Sequence, residues 1–201
     1  MKQSIEQDHL VRLENIDPFV DGAAVQQVGD VTLEICKEVL DDIHLVPEGK
    51  ICTYILDMYN QEAIVVEPAG ALSLAGLDML HYDIKGKNVV CLVSGGNNDI
   101  VRTEEIKERS MLHEGLKHYF IITFPQRAGA LREFLNEVLG PEDDISYFQY
   151  TKKTSRSAGP AVVGLECPSK VAYEQLLERM KDRDIHFEHL NENPFLFDLL
   201  I

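Results

Sequence analysis

The 201-residue sequence predicts an α/β fold for its first half and an α+β, ferredoxin-like fold for its second half. In the first half, helical patterns alternate with short, wholly apolar segments, which is typical of parallel strands covered on both faces. In the second half, the order strand, helix, strand, strand, helix, strand is the βαββαβ arrangement of ferredoxin-like folds. We place the boundary near the end of a polar helical stretch, so the predicted domains are residues 1–114 and 115–201.

The first domain begins with two predicted helices. Asp30 can cap a helix that carries Val31, Ile35 and Val39 on one face. Pro47 stands where the first turn of a helix tolerates proline, so it predicts the start of the second helix.

Two predicted strands follow, each ending in a turn. Residues 63–66 are a short β-branched run that leads into Glu67-Pro68-Ala69-Gly70, and a helix is predicted from residue 71 to about residue 80. Residues 88–93 (NVVCLV) have no polar face, which predicts a strand buried on both sides of a parallel sheet. This strand ends in Ser94-Gly95-Gly96-Asn97.

The second domain contains a complete set of six elements. A helix with Leu131, Phe134, Leu135 and Val138 on one face lies between the first two strands. Pro168 and Ser169 open the second helix, and residues 152–159 are predicted to form a loop. The four predicted strands are residues 119–124, 145–151, 161–167 and 185–190.

The composition excludes several classes of function. Acidic residues outnumber basic ones by 34 to 19, for a formal net charge of −15. Such a charge repels phosphate backbones and anionic lipid, so we expect no nucleic-acid partner and no membrane partner. The sequence has no apolar run of the roughly 20 residues that span a membrane, and residues 1–10 lack the apolar core of a signal peptide, so we expect neither a membrane span nor a signal peptide. The cysteines are widely spaced, which predicts reduced thiols in a cytoplasmic protein and no metal site.

Two glycine-containing turns are candidate ligand sites. Ser94-Gly95-Gly96 follows an apolar segment, and ligands of open α/β sheets bind at the carboxyl ends of strands. Glu67-Pro68-Ala69-Gly70 opens a helix and places a carboxylate at its positive end. Each turn, taken alone, is equally well explained as a tight connection between a strand and a helix.

Together with their surroundings, these turns resemble a known family. Residues 21–33 (DGAAVQQVGDVTL), 67–77 (EPAGALSLAGL) and 94–97 (SGGN) resemble, in order and spacing, the carboxyl-terminal part of the catalytic domain of threonine deaminase. Those enzymes are fold-type-II proteins that use pyridoxal 5'-phosphate (PLP). Residues 118–140 (HYFIITFPQRAGALREFLNEVLG) and the ending ENPFLFDLLI resemble their ACT-like regulatory domain.

The resemblance implies a cofactor and the residues that bind it. The parent enzyme would be an L-threonine ammonia-lyase, which converts threonine to 2-oxobutanoate and ammonia in isoleucine biosynthesis. The implied PLP-binding residues are Ser94, Gly95, Gly96 and Glu67, with the Ser94 hydroxyl hydrogen-bonded to the pyridine nitrogen. A neutral hydroxyl does not hold that nitrogen protonated, and the resulting weaker electron sink suits β-elimination.

The chain also departs from the family pattern. The segment S-[FY]-K-x-R-G, whose lysine holds the cofactor, and the glycine-rich phosphate loop do not occur in residues 1–112. We therefore expect a carboxyl-terminal fragment of a longer enzyme that does not catalyse the reaction alone, and we assign no catalytic residue.

The resemblance further implies an effector site in the second domain. ACT-like domains bind amino-acid effectors, here isoleucine or valine, near the loop between the first strand and the first helix, usually between two copies of the domain. A homo-oligomer is therefore expected. Helix-start amides suit a carboxylate, whereas the loop cation could equally be solvated. The candidate residues are Pro125, Gln126, Arg127, Ala128, Gly129, Ala130 and Leu131.

One alternative belongs to another class of function. A complete βαββαβ set beside an incomplete catalytic half is also what a free-standing regulatory protein that binds branched-chain amino acids would contain.

Overall fold

A computed structural model describes residues 1–151 and 157–201 of the chain. The chain divides into two compact units, Met1–Ser110 and Met111–Ile201. Each unit has its own cluster of buried apolar residues. Most of the loop predicted at residues 152–159 lies outside the described residues. Within the described ranges, no helix is long and apolar enough to cross a membrane, and no three potential metal ligands cluster.

The first unit is built from helices and long irregular segments. The helices are α1 (Lys2–Glu6), α2 (Asp30–Val39), α3 (Glu48–Glu62), α4 (Pro68–Ala75) and α5 (Thr103–Glu114), with 3₁₀ turns at Gly76–Met79 and Ile100–Arg102. Helix α5 continues past the end of the unit. The longest, α3, starts after Pro47 as predicted and ends where Ala63 takes a left-handed conformation. The core consists of Phe19, Ile51, Cys52, Ile55, Val66, Ala71, Ala75 and Ile106.

The strands predicted for the first unit are not formed in its described residues. Residues 88–93 have no ladder partner, and the side chains of Val90 and Leu92 are 93% and 77% exposed. The prediction of a buried strand at residues 88–93 is therefore wrong for this chain, and residues 63–66 likewise form no strand. A parallel strand exists only through hydrogen bonds to neighbouring strands. The described first unit supplies residues 88–93 with no neighbouring strand, and Ser73 of α4 donates a hydrogen bond to the carbonyl oxygen of Leu92 (2.8 Å).

Helix α2 also departs from its predicted role. The residues Val31, Ile35 and Val39 share one face, but each is more than half exposed, and the buried residue of α2 is Leu33. The N-cap is Gly29 and not Asp30.

The second unit is a four-stranded antiparallel sheet with helices. Its strands are β1 (Lys117–Pro125), β2 (Asp144–Tyr150), β3 (Ala158–Glu166) and β4 (Phe187–His189). They lie in the order β2-β3-β1-β4, and both β3 and β4 pair antiparallel with β1. The predicted ferredoxin-like order is confirmed, followed by a 3₁₀ turn at Leu190–Glu192 and a final helix. The helices are α6 (Ala130–Glu137), α7 (Lys170–Asp182) and α8 (Pro194–Leu200).

The core of this unit lies between the sheet and helices α6 and α7. Phe120 pairs with Val163 and Ile122 with Ala161 across the β1–β3 ladder, and all four are buried. Removal of apolar side chains such as these from water is the dominant favourable contribution to folding. The helices contribute Phe134, Leu176 and Met180 to the same cluster.

A buried histidine lies at the start of β1. The ring of His118 is stacked on that of Tyr173, with 3.5 Å between ring centroids, and is only 5% exposed. Its Nε2 lies 2.9 Å from the carbonyl oxygen of Gly115 and its Nδ1 lies 3.2 Å from Nε2 of His189. Burial lowers the pKa of His118 to about 4. The neutral ring is therefore the form that the fold requires at pH 7.

We expect the second unit to lose stability as the pH falls from about 6.5 to about 4. The unfolded chain binds a proton at His118 in this range and the folded chain does not, so acid favours unfolding. Between pH 7 and pH 5 the loss from this residue is about 2 kcal/mol. Urea unfolding at both pH values checks this, with His118→Phe as the comparison. Equal pH dependence in the wild type and this variant would contradict the assignment.

Candidate functional site

The predicted cofactor-binding residues lie together in the first unit. The backbone N–H of Glu67 donates to the carbonyl oxygen of Gly95 (3.2 Å), and the N–H of Asn97 donates to Oε2 of Glu67 (3.2 Å). These bonds fasten the Ser94–Asn97 turn to the start of α4. In the structure, Glu67, one of the implied PLP-binding residues, holds the turn that carries Ser94.

The glycines of this region are required by the close approach of two backbone segments. A Cβ at Gly70 would overlap the carbonyl oxygen of Gly95, and one at Gly95 would overlap the Glu67 carboxylate. A Cβ at Gly96 would lie 2.8 Å from the carbonyl oxygen of Val65. Space for a flat ring was the predicted reason for glycine here, but the contact between turn and helix already demands it.

Ser94 has the exposure that a ligand contact needs. Its side chain is exposed, and its hydroxyl makes no hydrogen bond within the described part of the chain. This hydroxyl can donate a hydrogen bond to the pyridine nitrogen of PLP, and two hydrogen bonds to Glu67 hold the turn that carries it. Two lysines of the first unit are already engaged in ion pairs: Lys37 with Asp8 at 2.6 Å and Lys50 with Asp78 at 2.7 Å. The residues present therefore fit the ring-nitrogen end of the cofactor.

The predicted effector loop lies beside a cavity in the second unit. The predicted loop runs from Pro125, the last residue of β1, to Leu131 in the first turn of α6, whose N-cap Gly129 takes the left-handed conformation with φ of 89°. A glycine adopts this conformation without strain, and its carbonyl oxygen accepts a hydrogen bond from the N–H of Glu133 (2.9 Å). The cavity measures about 220 Å³ and is lined by Phe124, Pro125, Arg127, Gly129, Ala130, Leu131, Arg132, Phe148 and Tyr150.

Two of the seven predicted loop residues do not line this cavity. Ala128 is exposed beside it. Gln126 turns its side chain toward Gly159, where a Cβ would overlap the carboxamide nitrogen. That nitrogen is buried and has no hydrogen-bond partner among the described residues.

A second, larger cavity of about 600 Å³ lies against the same loop and shares Arg127 with the first. Its polar lining includes Glu133, Glu137, Arg183 and His186, and its apolar lining includes Phe134. Sequence reasoning missed these residues because α6 and the segment after α7 meet only in the folded unit. The helical spacing of Glu133 and Glu137, one turn apart on α6, was the only signal available.

Comparison with known proteins assigns each unit to a family. Residues 1–95 match the model for pyridoxal-phosphate dependent enzymes, and residues 108–200 match that for the C-terminal regulatory domain of threonine dehydratase. These matches support the predicted fold classes: part of a fold-type-II PLP enzyme, followed by an ACT-like domain.

Curated relatives match along the whole chain. L-threonine dehydratase biosynthetic IlvA of Halalkalibacterium halodurans is 56% identical over 201 residues, which are 100% of this chain and 48% of that protein. The protein of the same name from Bacillus subtilis is 59% identical over 199 residues, which are 99% of this chain and 47% of that protein. The chain thus spans about half the length of the curated relatives it matches.

A solved structure also matches. The processed form of threonine deaminase isoform 2 from Solanum lycopersicum is 32% identical, with a TM-score of 0.49 over 54% of this chain and 31% of that chain. Residues 1–95 thus belong to the pyridoxal-phosphate dependent enzymes and residues 108–200 to the C-terminal regulatory domains of threonine dehydratase, and the whole chain is more than 50% identical to about half of each of these two biosynthetic L-threonine dehydratases.

Proposed function

We propose that the chain supplies the PLP-binding turn and the regulatory domain of a biosynthetic L-threonine dehydratase, which converts threonine to 2-oxobutanoate and ammonia in the cytoplasm. Residues 1–114 would belong to the catalytic domain and residues 115–201 would form the regulatory domain. The observation that carries this proposal is the succession of the two family matches, supported by relatives of the same printed name at 56% and 59% identity.

Within the proposed enzyme, the residues of the first unit hold one end of the cofactor. PLP, when bound, supplies an electron-withdrawing ring for the elimination. Ser94 would donate its hydroxyl proton to the ring nitrogen as a hydrogen bond, and Glu67 would keep the turn in place through the N–H of Asn97. Gly95 and Gly96 would keep the turn free of side chains where the ring lies.

A chimaera tests the catalytic part of this proposal. The half of the Bacillus subtilis relative that precedes the matched region would be fused to this chain and assayed for 2-oxobutanoate formation from threonine. We expect activity, and we expect Ser94→Ala to lower it by roughly tenfold or more through loss of a hydrogen bond to the cofactor. A folded chimaera that binds PLP but forms no 2-oxobutanoate would contradict the proposal.

We also propose that the loop of residues 125–131 binds a branched-chain amino acid, isoleucine or valine, in a homo-oligomer. Support comes from the adjoining cavities, from their apolar walls and from the guanidinium of Arg127 at both. Titration calorimetry of the full chain is expected to detect binding of isoleucine or valine. Arg127→Ala is expected to weaken it roughly 10- to 100-fold, since a hydrogen bond between two charged groups is lost.

The same two experiments distinguish the alternative, a free-standing regulatory protein that binds branched-chain amino acids. The completeness of the βαββαβ sheet favours this alternative, because the second unit has a buried core of its own. Effector binding together with an inactive chimaera would support it over the dehydratase.

A further inference from the structure

The guanidinium of Arg127 already holds a carboxylate of this chain. Its Nη1 donates to Oε1 of Glu133 at 2.7 Å, and its Nη2 donates to Oε2 of the same residue. This two-pronged arrangement is the one in which an arginine binds a free carboxylate. The ion pair therefore occupies one of the two-pronged positions at which Arg127 could bind the carboxylate of an amino-acid effector.

The pair is nevertheless easy to separate. The side chains of Arg127 and Glu133 are 55% and 51% exposed. Ion pairs with this exposure contribute little to stability, because water solvates both charges when they part. An incoming ligand that solvates both charges equally well can replace the pair at little cost.

The surroundings provide space and an apolar wall for such a ligand. Arg127 lines both cavities, and Glu133 lines the larger one together with Phe134, Val138 and Ile185. A zwitterion with an aliphatic side chain matches this combination, since it carries one carboxylate, one ammonium group and one apolar group. An aliphatic carboxylate without an ammonium group matches only part of it.

We propose that the effector separates this ion pair and binds both of its members. In this exchange of partners, the effector carboxylate binds Arg127, and the effector ammonium group binds Glu133. Glu133 is then both the internal competitor for Arg127 and the residue that selects α-amino acids over simple carboxylates. This inference rests on the proposed effector site and adds to it the role of Glu133.

The test compares L-valine with 3-methylbutanoate, which is valine without its amino group. Titration calorimetry of the full chain would measure both ligands on the wild type and on Glu133→Gln. The wild type is expected to bind valine more tightly than 3-methylbutanoate. In Glu133→Gln, valine binding is expected to weaken by roughly tenfold or more because the ammonium group loses a charged partner. Binding of 3-methylbutanoate is expected to strengthen, because Arg127 is no longer occupied.

Glu174→Gln is the matched control, since it makes the same charge change at an exposed position of α7 that lines neither cavity. It is expected to leave both affinities unchanged. Opposite shifts for the two ligands in Glu133→Gln support the exchange. Unchanged affinities, or a gain for both ligands, overturn it while leaving the effector site intact. If the wild type binds neither branched-chain amino acid, both the site and the exchange are overturned.

Discussion

Replacing Asp143 by alanine is expected to lower the free energy of unfolding of the second unit by about 3 kcal/mol. The Asp143 side chain is only 2% exposed. Its carboxylate accepts hydrogen bonds from the backbone N–H of Gly140 (2.6 Å) and from Nη2 of Arg179 (3.1 Å). Arg179 also donates to the carbonyl oxygen of Val138. Removing one partner of a buried ion pair leaves the other charge uncompensated, which costs 3–5 kcal/mol in typical cases.

The lower end of that range applies because Arg179 is partly exposed, at 29%. Urea unfolding followed by NMR signals of β1 and β3 measures the change. Glu142→Ala, the exposed neighbour, is the matched control and is expected to change stability by less than about 0.5 kcal/mol. Equal effects of the two substitutions would show that the buried carboxylate does not hold α6 and α7 together.

Replacing Gly70 by alanine is expected to destabilise the first unit by about 2–3 kcal/mol and to detach the Ser94–Asn97 turn. The added Cβ would overlap the carbonyl oxygen of Gly95. That obstacle is backbone, so it cannot move aside as a flexible side chain would. The turn must shift, and the hydrogen bond from the N–H of Glu67 to Gly95 breaks with it.

Gly76→Ala is the control for this substitution. Gly76 follows the same helix, has an ordinary φ of −62°, and its nearest neighbour to an added Cβ is Val46 at 4.0 Å. It is expected to be neutral or slightly stabilising, because alanine restricts the unfolded chain. Amide hydrogen exchange at Glu67 and Asn97 measures the turn directly. Unchanged protection of these amides in Gly70→Ala would contradict the contact.

The second unit was the more predictable half of the fold. Its strands pair with each other and its helices cover them, so the apolar pattern of residues 119–124 and of α6 reflects contacts within the unit. The wholly apolar residues 88–93 carry a pattern that only neighbouring parallel strands can satisfy, and the described first unit has none. Local periodicity indicated a strand there, but pairing depends on residues distant in sequence.

The candidate sites likewise have a part that the sequence predicts and a part that only the structure shows. A motif was enough to identify residues 94–96 and the loop at 125–131 as candidates, and the structure gathers five of the seven loop residues around one cavity. The roles of Glu67 and Glu133 depend on which backbone amide or guanidinium each carboxylate reaches. The partners of these carboxylates, Asn97 and Arg127, lie in irregular segments, so the sequence has no periodic signal for either contact.

We propose that the loop at residues 125–131 is the amino-acid-binding site of this chain. NMR titration of the full chain with L-isoleucine, following the backbone amides, tests it most directly. We expect shifts that saturate and that are largest at residues 124–133 and at Phe148 and Tyr150. Saturating shifts confined to other residues, or no shifts at millimolar isoleucine and valine, would contradict the claim.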